Sequence, residues 1–401
     1  MRLVFLISTF MASCSFAKKL PGNACKMDLD EMTINTPLFR NAKGRELMPD
    51  GNDLSIFGLK DGETVEISCF SSGNKLNRYS TKSVNGTCTA GGKVKTRRGV
   101  FPLNSFSCNR PMYPITIYRG SCNGPKRGRF IDVGYKGDNG EFIKGMSICH
   151  SKERGETYWV YSVVFPKVYR HRVKHLGIDE EIKIGQVIDI YGSIVRNISE
   201  VYNAEITRLA KMPALPPTYV EAIVPGFLIP PEDFMSYNMQ KMSLYYLNTV
   251  PQWNSTYNGP WKLIEQTIRK KYRDDSEPIT ILAGTYGIKT GNRKDQELWL
   301  TQGMVPYPKY LWKAIFREGK SLVFSIENGP STNKAGTPAT PFTEGISCTR
   351  RGWNFGKLSD KITCGSVKKL ISVIGQGNLP HNFIYMVESK EKMSRNKHRS
   401  Y

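Results

Sequence analysis

Long apolar runs are missing from this 401-residue chain. A membrane-spanning helix needs about 20 consecutive apolar residues, and no stretch reaches that length without a charge, which excludes an integral helical membrane protein. Carboxylates are in short supply: 35 Asp and Glu stand against 57 Lys and Arg, a formal charge of +22. Such an excess attracts polyanions (DNA, RNA, sulfated polysaccharide or anionic membrane) without choosing among them, and it speaks to partners rather than to fold. The cysteines show no CxxC pair, which removes the usual zinc-site spacing. Histidine is scarce, five in all. His171 and His175 are spaced as helix neighbours, but no third ligand lies near in sequence, so they read as part of a basic surface segment. No internal repeat is present, and low complexity is confined to the C-terminal tail.

The start of the chain carries a different signal. Met1-Arg2 is a short positive start, Leu3 to Phe10 is apolar, and Ser15-Phe16-Ala17 offers small residues where a signal peptidase reads. Residues 1–17 are expected to be a secretory signal, and the rest extracellular. Removing them discards Cys14 and leaves eight cysteines, at 25, 69, 88, 108, 122, 149, 348 and 364. An even number on a secretory route predicts a disulfide framework, whose pairing spacing alone does not give. Six of the eight fall before residue 150, which points to two units. Sequons at Asn85, Asn197 and Asn254 fit the same route.

Residues 18–150 are rich in Gly, Asn, Ser and Cys, with short apolar segments such as Thr64-Val65-Glu66-Ile67-Ser68 and recurring turn signals (Ser72-Gly73, Asn85-Gly86, Asn123-Gly124). That pattern predicts a small β-rich, disulfide-stapled domain. Beyond it, strands are expected at Tyr158 to Val164, over 182–192, at Val220 to Ile229, Ser243 to Val250, Ile279 to Tyr286 and Ser321 to Ile326. Helices are expected over 198–211 and at Glu232 to Lys241. Asn258-Gly259-Pro260 is a good helix start, because Pro at the first helical position forgoes only an amide that lacks a partner anyway. The helix should run from Trp261 to about Tyr272. Trp261, Ile264 and Ile268 form its apolar stripe, and Trp261, Glu265 and Arg269 stack along an adjacent line. Trp261 is expected in the core. The element order is α+β.

Several stretches then fall into one pattern. Gly226-Phe227-Leu228 is followed by Pro230 and Asp233-Phe234. Next come Asn248-Thr249-Val250-Pro251-Gln252-Trp253, Gly259, Trp261-Lys262-Leu263-Ile264-Glu265 and Arg269, and finally Gly284-Thr285-Tyr286-Gly287, Val305-Pro306 and Tyr310-Leu311-Trp312-Lys313. With these residues the chain resembles the non-specific DNA/RNA endonucleases, whose site is a ββα unit around one metal ion. The resemblance implies an α+β fold: a ββα-metal nuclease-like domain with a mixed or antiparallel sheet over 151–387, after the cysteine-rich β domain of 18–150 and before a basic, disordered tail over 388–401. The cysteine-rich extension and basic character further resemble secreted insect members of the family, above all nuclease-like salivary-gland proteins of tsetse flies, which implies saliva as the destination.

The family motif begins Arg-Gly-His. That His is the general base, an Asn thirty residues later holds a single magnesium ion, and a Glu and an Arg follow on the helix. Here the motif reads Pro225-Gly226-Phe227, and thirty residues on stands Tyr257, with Glu265 and Arg269 at the retained spacing. A phenyl ring accepts no proton, and a positioned general base is worth about 10²–10⁴ in rate. Magnesium prefers oxygen ligands in near-octahedral geometry, and a neutral phenol is a poorer and bulkier ligand than an Asn carbonyl. No catalytic group is therefore intact. Magnesium is held weakly if at all, through Asn258 and Glu265, and no cofactor is required.

Arg269 remains suited to fork onto phosphate oxygens, unless it and Glu265 are simply a helix-surface ion pair worth a few tenths of a kcal/mol. Lys270, Lys271 and Arg273 extend it, and Arg170, Arg172 and Lys174 form a second cluster. Lys93 to Arg98 and Lys126 to Arg129 carry others. Together they point to sequence-independent contact with DNA or RNA through the phosphate backbone, and to no membrane partner. The expected function is a secreted nucleic-acid-binding protein derived from an endonuclease, with residual turnover at most. The alternatives are an active magnesium-dependent endonuclease and a secreted binder of anionic polysaccharide or of a host protein.

Overall fold

The computed structural model describes residues 25–165 and 223–388, apart from 29–30, 45, 48–55, 72, 138–139, 235, 274, 276, 291–296, 302–303, 330–339 and 345–346. The signal segment, the strand expected over 182–192, the helix over 198–211 and the basic tail lie outside these residues. Among the described residues no helix is long and apolar enough to cross a membrane.

The chain opens with short strands: β1 (Cys25–Asp28), β2 (Leu38–Asn41), β3 (Ile56–Leu59), β4 (Thr64–Ser68), β5 (Ser83–Cys88), β6 (Val94–Thr96) and β7 (Gly99–Phe101). β1 pairs with β3, and the rest form an antiparallel sheet in the order β2-β4-β5-β6-β7. Alternation decides the faces of β4, where Val65 and Ile67 are buried and Thr64 is exposed. Disulfides Cys25–Cys88 and Cys69–Cys108 staple this unit. In the chain-entropy picture each closed loop is worth about 4 kcal/mol, a large contribution for so thin a core.

A larger sheet follows. Its first half is a meander of β8 (Ile115–Cys122), β9 (Gly128–Lys136), β10 (Phe142–Ser151) and β11 (Glu156–Val164). After it come β12 (Ile223–Phe227), α1 (Tyr237–Ser243), β13 (Thr249–Trp253), α2 (Lys262–Tyr272) and β14 (Ile279–Ile288). The chain continues through β15 (Trp299–Thr301), β16 (Met304–Pro306), β17 (Pro308–Arg317), β18 (Lys320–Glu327), β19 (Thr363–Gly365) and α3 (Val367–Ile374). Eight of these strands form one antiparallel sheet in the order β19-β18-β17-β14-β11-β10-β9-β8. Its two faces are both covered. Ile148, Val160, Ala283, Leu311, Ile315 and Phe324 meet Trp261, Ile264 and Ile268 on one side. Leu282, Trp312 and Val323 meet Val367 and Leu370 of α3, with Phe383 and Ile384, on the other. The fold is α+β.

The division expected at residue 150 falls inside β10, and β11 pairs with β14 from Val164↔Ile279 to Trp159↔Gly284. The larger sheet thus begins at Ile115, and we place the end of the cysteine-rich unit near residue 114 instead. The cause is that the Gly- and turn-rich composition runs on through β8 to β10 although their partners lie elsewhere. Cys122–Cys149 belongs to the larger sheet and spans β9 at Gly128, where an added Cβ would stand 2.9 Å from Cys122 Sγ. Cys348–Cys364 closes a loop beside β19. The strand expected over Ser243 to Val250 begins only at Thr249, because Tyr246–Asn248 is a single tight turn.

Buried polar groups join the two units. Asn238 Nδ2 donates to Thr36 O (2.8 Å) and Lys241 Nζ donates to Met112 O (3.0 Å), while Tyr135 Oη of β9 holds Asn238 in place by donating to its carbonyl (2.8 Å). Arg40 of β2, 3 % exposed, pairs with Glu66 of β4 at 2.8 Å and with Glu141, between β9 and β10. Arg40→Met removes the cation and leaves two half-exposed carboxylates facing each other. Urea denaturation should show a loss of about 1–3 kcal/mol; an unchanged midpoint would mean that this pair does not join the units.

Candidate functional site

β12 and β13 make a two-stranded ribbon with Phe227 opposite Thr249 and Gly226 opposite Val250. Glycine is required at 226 because an added Cβ would stand 2.3 Å from Cδ of Gln252. Asn248, fully buried, closes the ribbon's end: its Nδ2 donates to Ile229 O and Ser243 O (both 2.7 Å), and its Oδ1 accepts from Ile229 N (3.1 Å). The helical turn Asn254–Thr256 then runs into Tyr257–Trp261, kinked at Gly259, and α2 begins just after Pro260. Trp261 is in the core, and its Nε1 donates to the carbonyl of Phe227 (2.9 Å). That bond ties the ribbon to the start of α2, so Phe227, Tyr257, Glu265 and Arg269 belong to one assembly.

The charged pair on α2 is not an ion pair with itself. Glu265, 4 % exposed, receives a hydrogen bond from Lys313 Nζ of β17 at 2.7 Å, and Lys313 is fully buried with its ammonium 4.7 Å from the centre of the Trp261 ring. Arg269 Nη1 donates to Asp233 Oδ1 at 2.7 Å. Burial raises the Glu265 carboxyl above the usual carboxylate range, against the pull of Lys313 and Arg269. Burial lowers the Arg269 guanidinium, but Asp233 and Glu265 outweigh it and hold the group above its ordinary value. Burial raises the Tyr257 phenol, and Glu265 and Glu232 add to the effect, so Tyr257 is neutral at any physiological pH. Asp233 and Lys313 fall among the motif residues, but no local pattern reveals partners 36 and 48 residues away.

These donors do not fit a magnesium ion. Tyr257 stays a neutral phenol, and one oxygen of Glu265 already holds an ammonium. Asn258 is exposed, and its Nδ2 donates to Asn254 Oδ1 at 2.6 Å. Among the described residues no three His, Cys, Asp or Glu gather where a metal could sit. The geometry therefore gives no support to Asn258 and Glu265 as a ligand pair. Among the described residues no histidine lies beside this assembly either. His150 is buried, with its pKa lowered to about 3 by burial and then by Arg129, and its Nδ1 lies 3.0 Å from Thr157 Oγ1. His381 is exposed in the layer that covers the opposite sheet face. His171, His175 and His398 lie outside the described residues.

The cationic candidates separate in the same way. Lys270, Lys271 and Arg273 are exposed at the C-terminal end of α2. Lys271 Nζ donates to Gly352 O (3.0 Å) and rests 4.7 Å from the Trp353 ring centre, which brings the exposed Arg350 turn beside them. Arg269 is mostly enclosed, its side chain 15 % exposed. Arg170, Arg172 and Lys174 lie outside the described residues. Lys126 and Arg127 sit between β8 and β9 with Arg129 on β9, and Lys93 to Arg98 run from just before β6 through the turn to β7, away from α2 in the chain and in the sheets.

The profile of the DNA/RNA non-specific endonuclease family matches residues 126–338, more than half of the chain, and the chain belongs to that family. It is similar to a salivary endonuclease of Lutzomyia longipalpis, with 25 % identity over 293 residues, 71 % of this chain and 65 % of that protein's length. Among solved structures it resembles a chain of the EndoG/EndoGI complex, with a TM-score of 0.33 and 11 % identity over 47 % of this chain and 74 % of that one.

The buried pair under α2 can be tested alone. Lys313→Met leaves Glu265 uncompensated in the core and should cost about 3–5 kcal/mol in chemical denaturation, whereas Glu265→Gln with Lys313→Met should recover most of that loss. Equal destabilisation by the single and double variants would refute the coupling.

Proposed function

We propose that this protein is a secreted nucleic-acid binder descended from an endonuclease, which holds phosphate backbones without reading sequence and turns over slowly at most. The observation that supports the reading is a pair of chemically silent side chains in a packed setting: the motif spacing assigns Phe227 and Tyr257 to the family's base and metal-ligand positions, while the helix that carries Glu265 and Arg269 is held in place. A phenyl ring takes up no proton and a neutral phenol replaces no carboxamide oxygen, so the hydrolytic step loses both supports. Contact with phosphate needs neither. Lys270, Lys271 and Arg273 are exposed cations on the same helix, and each phosphate they neutralise releases a counterion. The formal charge of +22 supplies the long-range attraction. The four disulfides favour an oxidising, extracellular location.

A second reading, an active non-specific endonuclease, is favoured by the similarity to the salivary endonuclease. One purified sample separates the two. Binding to duplex DNA should weaken steeply as salt rises and be unchanged by EDTA, while plasmid nicking stays slow with or without magnesium. Brisk magnesium-dependent nicking that Glu265→Ala abolishes would replace the binding reading with the enzymatic one.

Restoring the missing groups offers a further check. In the double variant Phe227→His and Tyr257→Asn, magnesium-dependent nicking should rise by about 10²-fold or more. A folded double variant with no gain would show that these positions do not stand where the family's base and metal ligand do.

A further inference from the structure

The excess of positive charge is not spread evenly. Between Glu66 and Asp132 the chain has no carboxylate side chain at all, yet it carries twelve Lys and Arg. Much of this stretch lies before residue 126, outside the span that matches the endonuclease family. Its cations therefore call for an explanation of their own. The largest group is on the β6 and β7 hairpin at the edge of the five-stranded sheet.

The hairpin is arranged to present that charge outward. Lys93 and Lys95 flank the buried Val94, so strand alternation puts both on one side, and Arg97 is exposed in the turn that follows β6. Along the chain the three cover at most about 13 Å, a length over which a duplex offers several phosphates. Arg98 and Arg78 are planted on aromatic rings: the Arg98 guanidinium lies 5.4 Å from the centre of Tyr79, and that of Arg78 lies 4.8 Å from the centre of Phe101. Arg98 Nη1 also donates to the Arg78 carbonyl, and Tyr79 Oη is 2.7 Å from Thr96 Oγ1, which locks the 78–79 turn onto the hairpin. A guanidinium lying on a ring loses little further freedom when its edge receives an anion, and the fork matches phosphate oxygens. None of these five cations has a carboxylate partner among the described residues.

We propose that the β6 and β7 hairpin, with Arg78 beside it, is a second phosphate-backbone site, separate from α2, that grips the same nucleic acid. The proposal rests on the nucleic-acid-binding reading above and deepens it. Two cationic surfaces on one polymer raise affinity because the second contact is intramolecular once the first has formed. The hairpin lies in the cysteine-rich unit, so that unit is a binding module in its own right and more than an extension of the nuclease-like sheet.

The test is the salt dependence of duplex DNA binding by the full-length protein, wild type against Lys93→Gln, Lys95→Gln and Arg97→Gln combined. Each lost phosphate contact should lower the slope of log K on log salt by about 0.9, so the triple variant should lose about 2–3 units of slope and about ten-fold or more in affinity near physiological salt. The charge-keeping variant Lys93→Arg with Lys95→Arg should bind as wild type does, which separates lost charge from lost structure. Val100, 47 % exposed and paired with Lys95 across the hairpin, offers a gain: Val100→Lys should steepen the slope. If the wild type binds and the triple variant keeps its slope, the hairpin site is refuted while the binding reading stands. If the wild type ignores duplex DNA, the binding reading itself fails. Heparin is the third arm: a triple variant that loses heparin but not DNA would make the hairpin a sulfated-polysaccharide site and overturn the proposal.

Discussion

An ammonium with no access to water must have an anion beside it, and this requirement organises the nuclease-like half of the molecule. Lys313 points from the middle of the large sheet into the layer beneath α2, where Glu265 is its carboxylate partner. Taking both charges out of water costs several kcal/mol per ion, a cost met only when geometry is close and neighbours help. Here the pair is 2.7 Å apart and the Trp261 ring lies against the ammonium. Trp261 in turn holds the Phe227 carbonyl. A single chain of contacts therefore runs from β17 through α2 to the ribbon of β12 and β13. Moving any one of them would leave a buried charge or a buried carbonyl without its partner.

That chain of contacts does not depend on the side chains of Phe227 and Tyr257. Phe227 contributes its backbone carbonyl to the frame, and its side chain is free to differ in function without disturbing that bond. Tyr257 packs at the edge of the core, where burial and two nearby carboxylates keep its phenol protonated. By contrast, Glu265, Arg269 and Asp233 are each tied to an oppositely charged partner. Replacing one of those costs stability before it costs activity, so structure alone is enough to retain them.

Periodicity made α2 legible in the sequence. Asn258-Gly259-Pro260 marks its start and the Trp261, Ile264, Ile268 stripe its buried face, and the helix found is Lys262–Tyr272. The strands at β4, β11, β14 and β18 were legible for the same local reason. What local pattern cannot convey is partnership over distance. The apolar run before Val250 reads as strand, yet Asn248 turns inward to bond Ile229 and Ser243, and the chain makes a tight turn there. Arg269 reads as the partner of Glu265 one turn away, but Asp233 comes to it from the turn after β12. The unit boundary was misplaced because composition reports what a segment is made of, whereas sheet membership depends on which strands it pairs with.

Internal pairing also shapes the electrostatics that any polyanion would meet. Asp132, Asp233 and Glu265 are nearly enclosed, and each sits against a cation: Arg119, Arg269 and Lys313. A neutral pair removed from the surface leaves the net excess unchanged, but it makes that excess a larger share of the charges still facing solvent. Carboxylates available to interrupt a positive patch are correspondingly fewer, and from residue 67 to 131 there are none to begin with. With a Debye length near 8 Å at physiological salt, cations on one hairpin or one helix turn act together, whereas cations on distant elements act separately. The molecule is better regarded as a set of local cationic surfaces than as a uniform positive sphere, and backbone phosphates, spaced regularly along a stiff polymer, are the ligand that can meet several such surfaces at once.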